Sequence, residues 1–351
     1  MKSRKIVIMA GGTGGHIFPG IAVAQALQLQ NVDVLWLGAI GGMEEKIVQA
    51  HNIPIKLLAI KGLRGKGVIG LLALPFKLLS STWAAKKYLK QEKVNAVLSM
   101  GGYVAGPGGL AAKLNGIPLV VHEQNSKFGM TNKYLAKWAK KVLTGFNLKG
   151  LYHSQWVGNP IRQEIENVKK MSKHDNRVNI LVVGGSLGAQ TLNNTVATLL
   201  LPLLTAKRIN IKHQCGKNKQ HDTIKNYKKS ANVEVLEFID NMQAAYSWAD
   251  FIIARAGALT IAEINAVGLP ALLIPYPYAV DDHQSANAQN MAEHEAGFIW
   301  QETQSSDELL GLINKLVDDA ELRQNMAKNS KSLHKKNAAQ KVAEICLQVA
   351  S

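Results

Sequence analysis

The sequence predicts an α/β protein of two similar domains, each a doubly wound parallel sheet. Three observations predict it. Short β-branched runs alternate with helical patterns along most of the chain, as parallel strands joined by crossover helices require. Two of those runs, Ile6 to Ala10 and Asn179 to Val183, end in glycine-rich loops, Gly11-Gly12-Thr13-Gly14-Gly15-His16 and Gly184-Gly185-Ser186-Leu187-Gly188-Ala189, so the opening pattern repeats halfway along. Finally, the strands are too many for one sheet, and a turn-forming Val157-Gly158-Asn159-Pro160-Ile161-Arg162 separates the halves. The domains are set at residues 1–160 and 161–335.

Composition sets the outer limits. A chain of 351 residues, 47% apolar and 19% charged, can bury two cores and is neither disordered nor fibrous. Cys215 and Cys346 lie far apart and outside any C-x-x-C or Cys/His ligand pattern, so neither a disulfide framework nor structural zinc is expected. The compartment reads as reducing. No apolar run reaches the ~18 residues of a bilayer span, and the first is too short for a signal peptide, which predicts a cytoplasmic protein. Lys and Arg total 41 against 25 Asp and Glu, a formal charge of +16. Such an excess favours a polyanion or an anionic membrane surface, and charge alone does not choose between them.

Taken in order, the first element is the apolar run Ile6 to Ala10, whose β-branching and glycine stop favour a strand buried on both faces. Pro19 and the spacing of Ile21, Ala22, Val23, Ala26 and Leu27 then open a helix. Between them, Gly11, Gly12, Gly14 and Gly15 put no side chain over the loop, so a ligand can approach while N–H groups at the helix start face a negative group. A phosphate suits that place; a tight turn that binds nothing is the alternative. His16, beside the loop, can take a proton near neutral pH. Further strands are expected at Val32 to Leu37, Val94 to Ser99, Leu119 to His122 and Val142 to Thr144, with helices at Met43 to Ala50 and Gly106 to Leu114. Ligands of doubly wound sheets bind beyond the strand C-termini. Gly101, Gly102, Tyr103, His122, Glu123, Gln124 and Asn125 therefore share the rim of His16.

The second half begins after a polar, basic segment, Lys169 to Arg177. Strands are expected at Asn179 to Val183, Ile209 to His213, Val233 to Phe238, Phe251 to Ala254 and Ala271 to Ile274, with a helix from Leu192. A ligand is expected between the two domains. In Ala254-Arg255-Ala256-Gly257-Ala258-Leu259-Thr260-Ile261-Ala262-Glu263, a strand end passes through a glycine turn into a helix. Amides of Ala258 to Thr260 can bind a pyrophosphate, and Glu263 can accept two hydrogen bonds from a ribose diol. Alternatively Glu263 only complements the helix dipole. Gln284 and Asn287, after the Pro275 to Pro277 turn, either read sugar hydroxyls or cap the helix and face solvent.

Some chemistries have no support. There is no D-x-D, and the adjacent Asp281 and Asp282 are a poor pair for bridging a metal to a diphosphate, so no metal ligands and no cofactor are expected and helix N-termini would stabilise a leaving group. Neither glycine loop is a clean G-x-G-x-x-G dinucleotide fingerprint. Nucleic acid finds no aromatic-interleaved basic stripe, recognition helix or zinc finger. Val68 to Leu79 is nearly all apolar, broken by Pro75 and ringed by Lys61, Arg64, Lys66, Lys86 and Lys87. Leu71, Leu72, Leu74, Phe76, Lys77, Leu78 and Trp83 would form a patch that docks shallowly on anionic lipid, being too short to cross. A buried helix with a solvated basic flank is the other reading.

Seven motifs then occur in order: G-G-T-G-G-H at Gly11 to His16, G-L-R-G-K-G at Gly62 to Gly67, G-G-Y-V-A-G-P-G-G at Gly101 to Gly109, H-E-Q-N at His122 to Asn125, V-G-N-P-I-R at Val157 to Arg162, G-G-S-L-G-A at Gly184 to Ala189 and G-A-L-T-I-A-E at Gly257 to Glu263. Singly they are modest; in this order the whole chain resembles the bacterial UDP-N-acetylglucosamine transferases of lipid II synthesis, the MurG family. The resemblance implies a GT-B fold of two Rossmann-like domains, with the C-terminal helix near Ala338 to Val349, in residues 336–351, completing the first. It implies transfer of N-acetylglucosamine, with inversion, from UDP-GlcNAc to the 4-hydroxyl of MurNAc in undecaprenyl-pyrophosphoryl-MurNAc-pentapeptide (lipid I). By similarity the donor touches Thr13, Gly14, Gly15, Asn125, Arg162, Ser186, Ile239, Ala258, Leu259, Thr260, Ile261, Ala262, Glu263 and Gln284. Some relatives carry paired glutamines where this chain has His283-Gln284. The acceptor pyrophosphate would meet the first glycine loop, and the apolar basic patch would hold the protein peripherally on the cytoplasmic face of the inner membrane, beside other cell-wall synthesis proteins.

An inverting displacement needs a base on the acceptor hydroxyl and charge stabilisation on departing UDP. His16 is the expected base, with Glu123 to orient or replace it and Tyr103 to position the acceptor; a His16 that only hydrogen-bonds the acceptor pyrophosphate is the alternative. The competing functions are a non-catalytic nucleotide-sugar or polyanion binder and another GT-B transferase acting on diacylglycerol or a macrolide.

Overall fold

The computed structural model describes residues 4–60, 74–148, 153–171, 175–185, 188–279 and 282–351. Contacts divide the chain into two units, Met1–Arg162 with Lys335–Ser351, and Gln163–His334.

In the first unit, a parallel sheet runs in the order β3-β2-β1-β4-β5-β6-β7. Its strands are β1 (Lys5–Ala10), β2 (Asp33–Ala39), β3 (Ile55–Leu58), β4 (Ala96–Gly101), β5 (Leu119–Glu123), β6 (Lys141–Thr144) and β7 (Ser154–Trp156). Alternation along β1 sends Ile6 and Ile8 to one face and Val7 and Met9 to the other. Each face meets its own core. Ile6 and Ile8 pack with Leu98, Val120, the helix Gly14–Gln28 and the C-terminal helix Ala338–Val349 through Val342 and Cys346. Val7 and Met9 pack with Val97, Val121, Ala85 and Leu89 of the helix Leu74–Gln91, and Ala111 of Ala105–Leu114. Each such aliphatic side chain, fully buried, contributes roughly 1.5–3 kcal/mol.

The second unit repeats the arrangement in six strands, ordered β10-β9-β8-β11-β12-β13. They are β8 (Val178–Val183), β9 (Ile209–Gln214), β10 (Val233–Leu236), β11 (Phe251–Ala254), β12 (Ala271–Leu273) and β13 (Gly297–Ile299). Ile180, Val182, Phe251 and Ile253 pack against Leu192, Val196 and, on the helix Ser306–Asp318, Leu309 and Ile313. A capping box, Ser305 with Glu308, starts that helix.

Two expectations change. The first helix begins at Gly14, not Pro19, so Gly14, Gly15 and His16 belong to its first turn and not to the loop. Pro19 is tolerated inside it at the loss of one main-chain bond. Gly20 beneath lets the helix lie on Trp36, whose Cη2 would be 2.6 Å from a Cβ there. The sequence also gave no sign of β3, β7 and β13. All three are sheet edges of three or four residues, too short to carry a period.

Candidate functional site

In both sheets chain order reverses between two central strands, β1 and β4 in the first unit and β8 and β11 in the second. Beyond the C-terminal ends of such a pair the loops part and a ligand has room. The first rim is built there. β1 ends at Ala10, with a register shift between Met9 and Ala10, and the chain passes through Gly11 and Gly12 into the helix at Gly14. Thr13 is the N-cap by its extended backbone (φ −140°, ψ 155°), but its side chain makes no capping bond. Its carbonyl takes the amides of His16 at 3.1 Å and Ile17 at 3.2 Å. The amides of Gly14 and Gly15, at the positive end of the helix dipole, are left for an anion.

Two features hold this rim in shape. Gly102 (φ +84°) crosses the first loop so closely that a Cβ would lie 2.2 Å from the Gly11 carbonyl oxygen. Neighbouring Gly101 (φ +103°) makes room for the His16 ring, whose Cε1 would be 3.1 Å from a Cβ there. The second feature is Glu44, which the sequence reading passed over. Its fully buried carboxylate accepts from the amides of Ala39 (2.9 Å) and Gly12 (3.2 Å), tying the β2 end to the loop. Gly11, Gly38 and Gly42 surround it, each without space for a Cβ. Part of the glycine motif therefore serves a buried carboxylate and not a ligand. The Tyr103 ring lies against Gly12, and burial, then the charge of Glu44, raise the pKa of its phenol, which stays protonated.

His16 is half-buried, and its Nδ1 lies 2.9 Å from Gln124 Oε1. Gln124 Nε2 donates to the carbonyl of His122 (3.0 Å) and meets His122 Nδ1 (3.1 Å). His122 Nε2 lies 2.9 Å from the Gly158 carbonyl. His122 is thus not on the rim but buried behind it, and burial pushes its pKa down to about 4. Asn159 donates to the Gln124 carbonyl at 2.9 Å, so the Val157 to Arg162 segment also supports this strand end.

Glu123 does not orient His16 here. Only 1% exposed, its carboxylate accepts from the Asn125 amide (3.1 Å), Asn125 Nδ2 (3.2 Å), the Gly129 amide (3.1 Å) and Asn132 Nδ2 (3.1 Å). Those four donors turn it into the anchor of the loop after β5, and the neighbour of His16 is Gln124.

The second rim follows β11. Gly257 caps the helix Ala258–Val267 with an extended backbone and no side chain, so the amides of Ala258, Leu259 and Thr260 start the helix without intrahelical partners. Glu263 Oε2 accepts from the Tyr246 hydroxyl at 2.9 Å. Ile261 is buried with the core, whereas Ala262 and Glu263 are partly exposed. Arg255 donates to the carbonyls of Ile274 and Pro275 and pairs with Glu302 at 2.7 Å, fixing the turn after β12. Gln284 Oε1 accepts from the Tyr276 amide at 2.9 Å, so that side chain braces the same turn. Asn287 neither caps nor faces solvent: it is fully buried and donates to the Ala256 carbonyl. Ile239 is 6% exposed, which leaves its main chain for any ligand contact. Arg162 ends the longer of the first unit's two segments and is half-buried. Ser186 lies outside the described residues.

On the helix Leu74–Gln91, Phe76 is 76% and Trp83 69% exposed, with Lys77, Leu78 and Leu79 open beside them. Leu71, Leu72 and the Lys61 to Lys66 cations lie outside the described residues, as does the side chain of Leu74. Among the described residues no helix is long and apolar enough to cross a membrane, and no group of three or more His, Cys, Asp or Glu is placed to hold a metal ion.

Comparison with known proteins supplies the family. Residues 6–144 match the glycosyltransferase family 28 N-terminal domain and residues 179–342 the family's C-terminal domain. The chain is 44% identical, over 99% of its length and 98% of the relative's, to a Shewanella loihica protein named UDP-N-acetylglucosamine--N-acetylmuramyl-(pentapeptide) pyrophosphoryl-undecaprenol N-acetylglucosamine transferase. A Neisseria gonorrhoeae protein of the same name is 43% identical over the full length of both. The crystal structure of Acinetobacter baumannii MurG superposes with a TM-score of 0.83 at 41% identity, covering 98% of this chain and 99% of that one.

Proposed function

The chain belongs to glycosyltransferase family 28, and on that premise we propose how its two rims divide one reaction. It has the GT-B fold and is a hexosyltransferase, moving N-acetylglucosamine from UDP-GlcNAc to lipid I in peptidoglycan synthesis. In our reading the second rim takes the donor: amides of Ala258 to Thr260 hold the diphosphate, and Glu263 takes the ribose hydroxyls. The Ile239 main chain, Gln284 and Ser186 complete that side. The first rim takes the acceptor, with its pyrophosphate at Gly14 and Gly15 and Tyr103 placing the sugar.

The 4-hydroxyl oxygen of MurNAc attacks C1 of N-acetylglucosamine from the face opposite UDP, so the new C–O bond forms with inversion. The bond from C1 to the β-phosphate oxygen breaks, its electron pair leaves on UDP, and the hydroxyl proton passes to His16. Helix amides at Ala258 to Thr260 stabilise the departing charge. The observation that carries the role of His16 is its place in the first helical turn, half-exposed and next to the amides of Gly14 and Gly15.

Exposed Phe76, Leu78, Leu79 and Trp83, with Lys77 and Lys87, support a reading in which the protein docks peripherally on an anionic surface, on the cytoplasmic face of the membrane that carries its acceptor. The test supplies UDP-GlcNAc and a soluble lipid I analogue and follows UDP release and the disaccharide product by mass spectrometry. Product with inverted configuration is expected; donor binding without product would overturn the reading.

A further inference from the structure

We propose that Gln124 is a positioning residue that holds neutral His16 in one tautomer, proton on Nδ1 and lone pair on Nε2, the form in which it can act as a base toward the rim. The inference rests on the reading of His16 as the base, and it goes beyond it by naming what sets the proton's place.

The assignment follows from groups that can only accept. The His122 carbonyl, 3.0 Å from the Gln124 amide, has no hydrogen to give, so the atom facing it must be the amide nitrogen. That fixes the amide orientation and directs Oε1 at His16. At the far end, the Gly158 carbonyl is likewise only an acceptor, so His122 carries its hydrogen on Nε2. Burial keeps that imidazole neutral near pH 7, and its Nδ1 is then bare and accepts the second hydrogen of the Gln124 amide at 3.1 Å. With both amide hydrogens engaged, Gln124 Oε1 has only lone pairs to offer. The Nδ1 of His16, 2.9 Å away, must be the donor. The neutral ring then has its free lone pair on Nε2, which meets no hydrogen-bond partner among the described residues.

The relay is anchored at each joint. Gln124 is almost wholly buried, its own carbonyl held by Asn159. Gly101 leaves the ring its space, since a Cβ there would lie 3.1 Å from His16 Cε1 and 3.2 Å from Nδ1. The order of bonds survives the reaction: once Nε2 takes the acceptor's proton, Nδ1 still donates to the same amide oxygen. The ring neither turns nor changes partner.

The deciding experiment is nitrogen NMR of histidine-labelled full-length protein, with the His16 signals assigned by their loss in His16→Gln. In wild type with the His16 ring neutral, Nε2 is expected as the unprotonated nitrogen; an unprotonated Nδ1 would overturn the proposal without any activity measurement. Gln124→Met keeps the bulk and removes both bonds. It should give a mixture of tautomers and lower kcat by about 10-fold, part of the ~10²–10⁴-fold that a general base supplies, with KM for UDP-GlcNAc unchanged. A Met variant that retains the wild-type tautomer and rate refutes the role of Gln124. If the tautomer shifts while both Gln124→Met and His16→Ala keep wild-type turnover, Gln124 still sets the tautomer and it is the base assignment that fails. Should the Met variant not fold, the wild-type spectrum decides.

Discussion

His122, in β5 of the first unit, and His213, in β9 of the second, are both buried imidazoles beside an amide side chain oriented by a main-chain carbonyl. Gln124 is oriented by the carbonyl of His122, and Asn193 donates to that of Cys215 at 2.9 Å. Burial depresses both histidines, His122 to about 4 and His213 to about 3. The two networks part at their outer ends. Asn193 Oδ1 turns inward to His213 Nε2 (3.1 Å), whose Nδ1 meets the buried hydroxyl of Tyr227 (2.9 Å). Gln124 Oε1 turns outward to His16 on the rim. A buried neutral histidine is therefore no sign of catalysis by itself. What separates a structural network from a poised one is whether its last acceptor reaches a side chain at the surface of the rim, as Gln124 Oε1 reaches half-exposed His16.

The sharpest way to break that contrast is a pair of variants. His16→Ala should lower kcat by ~10²–10⁴-fold with donor affinity retained, whereas His213→Leu should lower the melting temperature and leave kcat per folded molecule unchanged. A kcat loss in His213→Leu with stability intact would make the two networks alike.

Protonation probes both at once. Each imidazole has a folded-state pKa below its unfolded one, so its contribution is complete above pH ~6.5 and is lost as pH falls, toward about 4 for His122 and about 3 for His213. Urea unfolding between pH 7 and 4 should reveal roughly 3 kcal/mol lost from His122 alone, and His213→Leu should flatten the rest of the slope.

The two rims should also separate by substrate. Glu44→Ala leaves the buried amide of Ala39 and the partly buried amide of Gly12 without this acceptor, at about 1–3 kcal/mol for the buried one, and should raise KM for the lipid I analogue. Glu263→Gln should weaken UDP-GlcNAc binding by about 10-fold, as loss of a charge-assisted hydrogen bond implies. Calorimetry for the donor and steady-state kinetics for the acceptor distinguish them; crossed effects would sink the division. The smallest effect is expected from Phe76→Ser with Trp83→Ser, which should reduce sedimentation with anionic vesicles and leave turnover on a soluble acceptor unchanged.

Much of this was legible in the chain. The apolar runs of β1, β8 and β11 and the glycine stops behind them announce parallel strands because strands buried on both faces must be continuously apolar. The helix Met43–Ala50 stands where its pattern places it, and Ala338–Val349 where the resemblance does. His16, Tyr103 and the Gly257 turn fall at strand ends, and strand ends are visible as breaks in that text. Glu44 gave no comparable signal, and Gln124, though placed on the rim, gave none of its bond to His16. Glu44 reads as one more acid in a first helical turn, and Gln124 as a polar neighbour of the more conspicuous Glu123.

What the sequence determined by itself is the layout: two α/β units, the strands that end at each rim, and the chemical types gathered there. These are local matters, settled by period, propensity and the lack of a side chain at glycine. Only the tertiary structure decided which partner each polar group meets. Gln124 and His16 are brought within 2.9 Å by the pairing of β1 with β4 and of β4 with β5, and Glu123 is drawn away by donors on the loop that follows it. Hydrogen bonds are directional and short, so the choice of acceptor depends on ångström-scale distances between segments far apart in the chain.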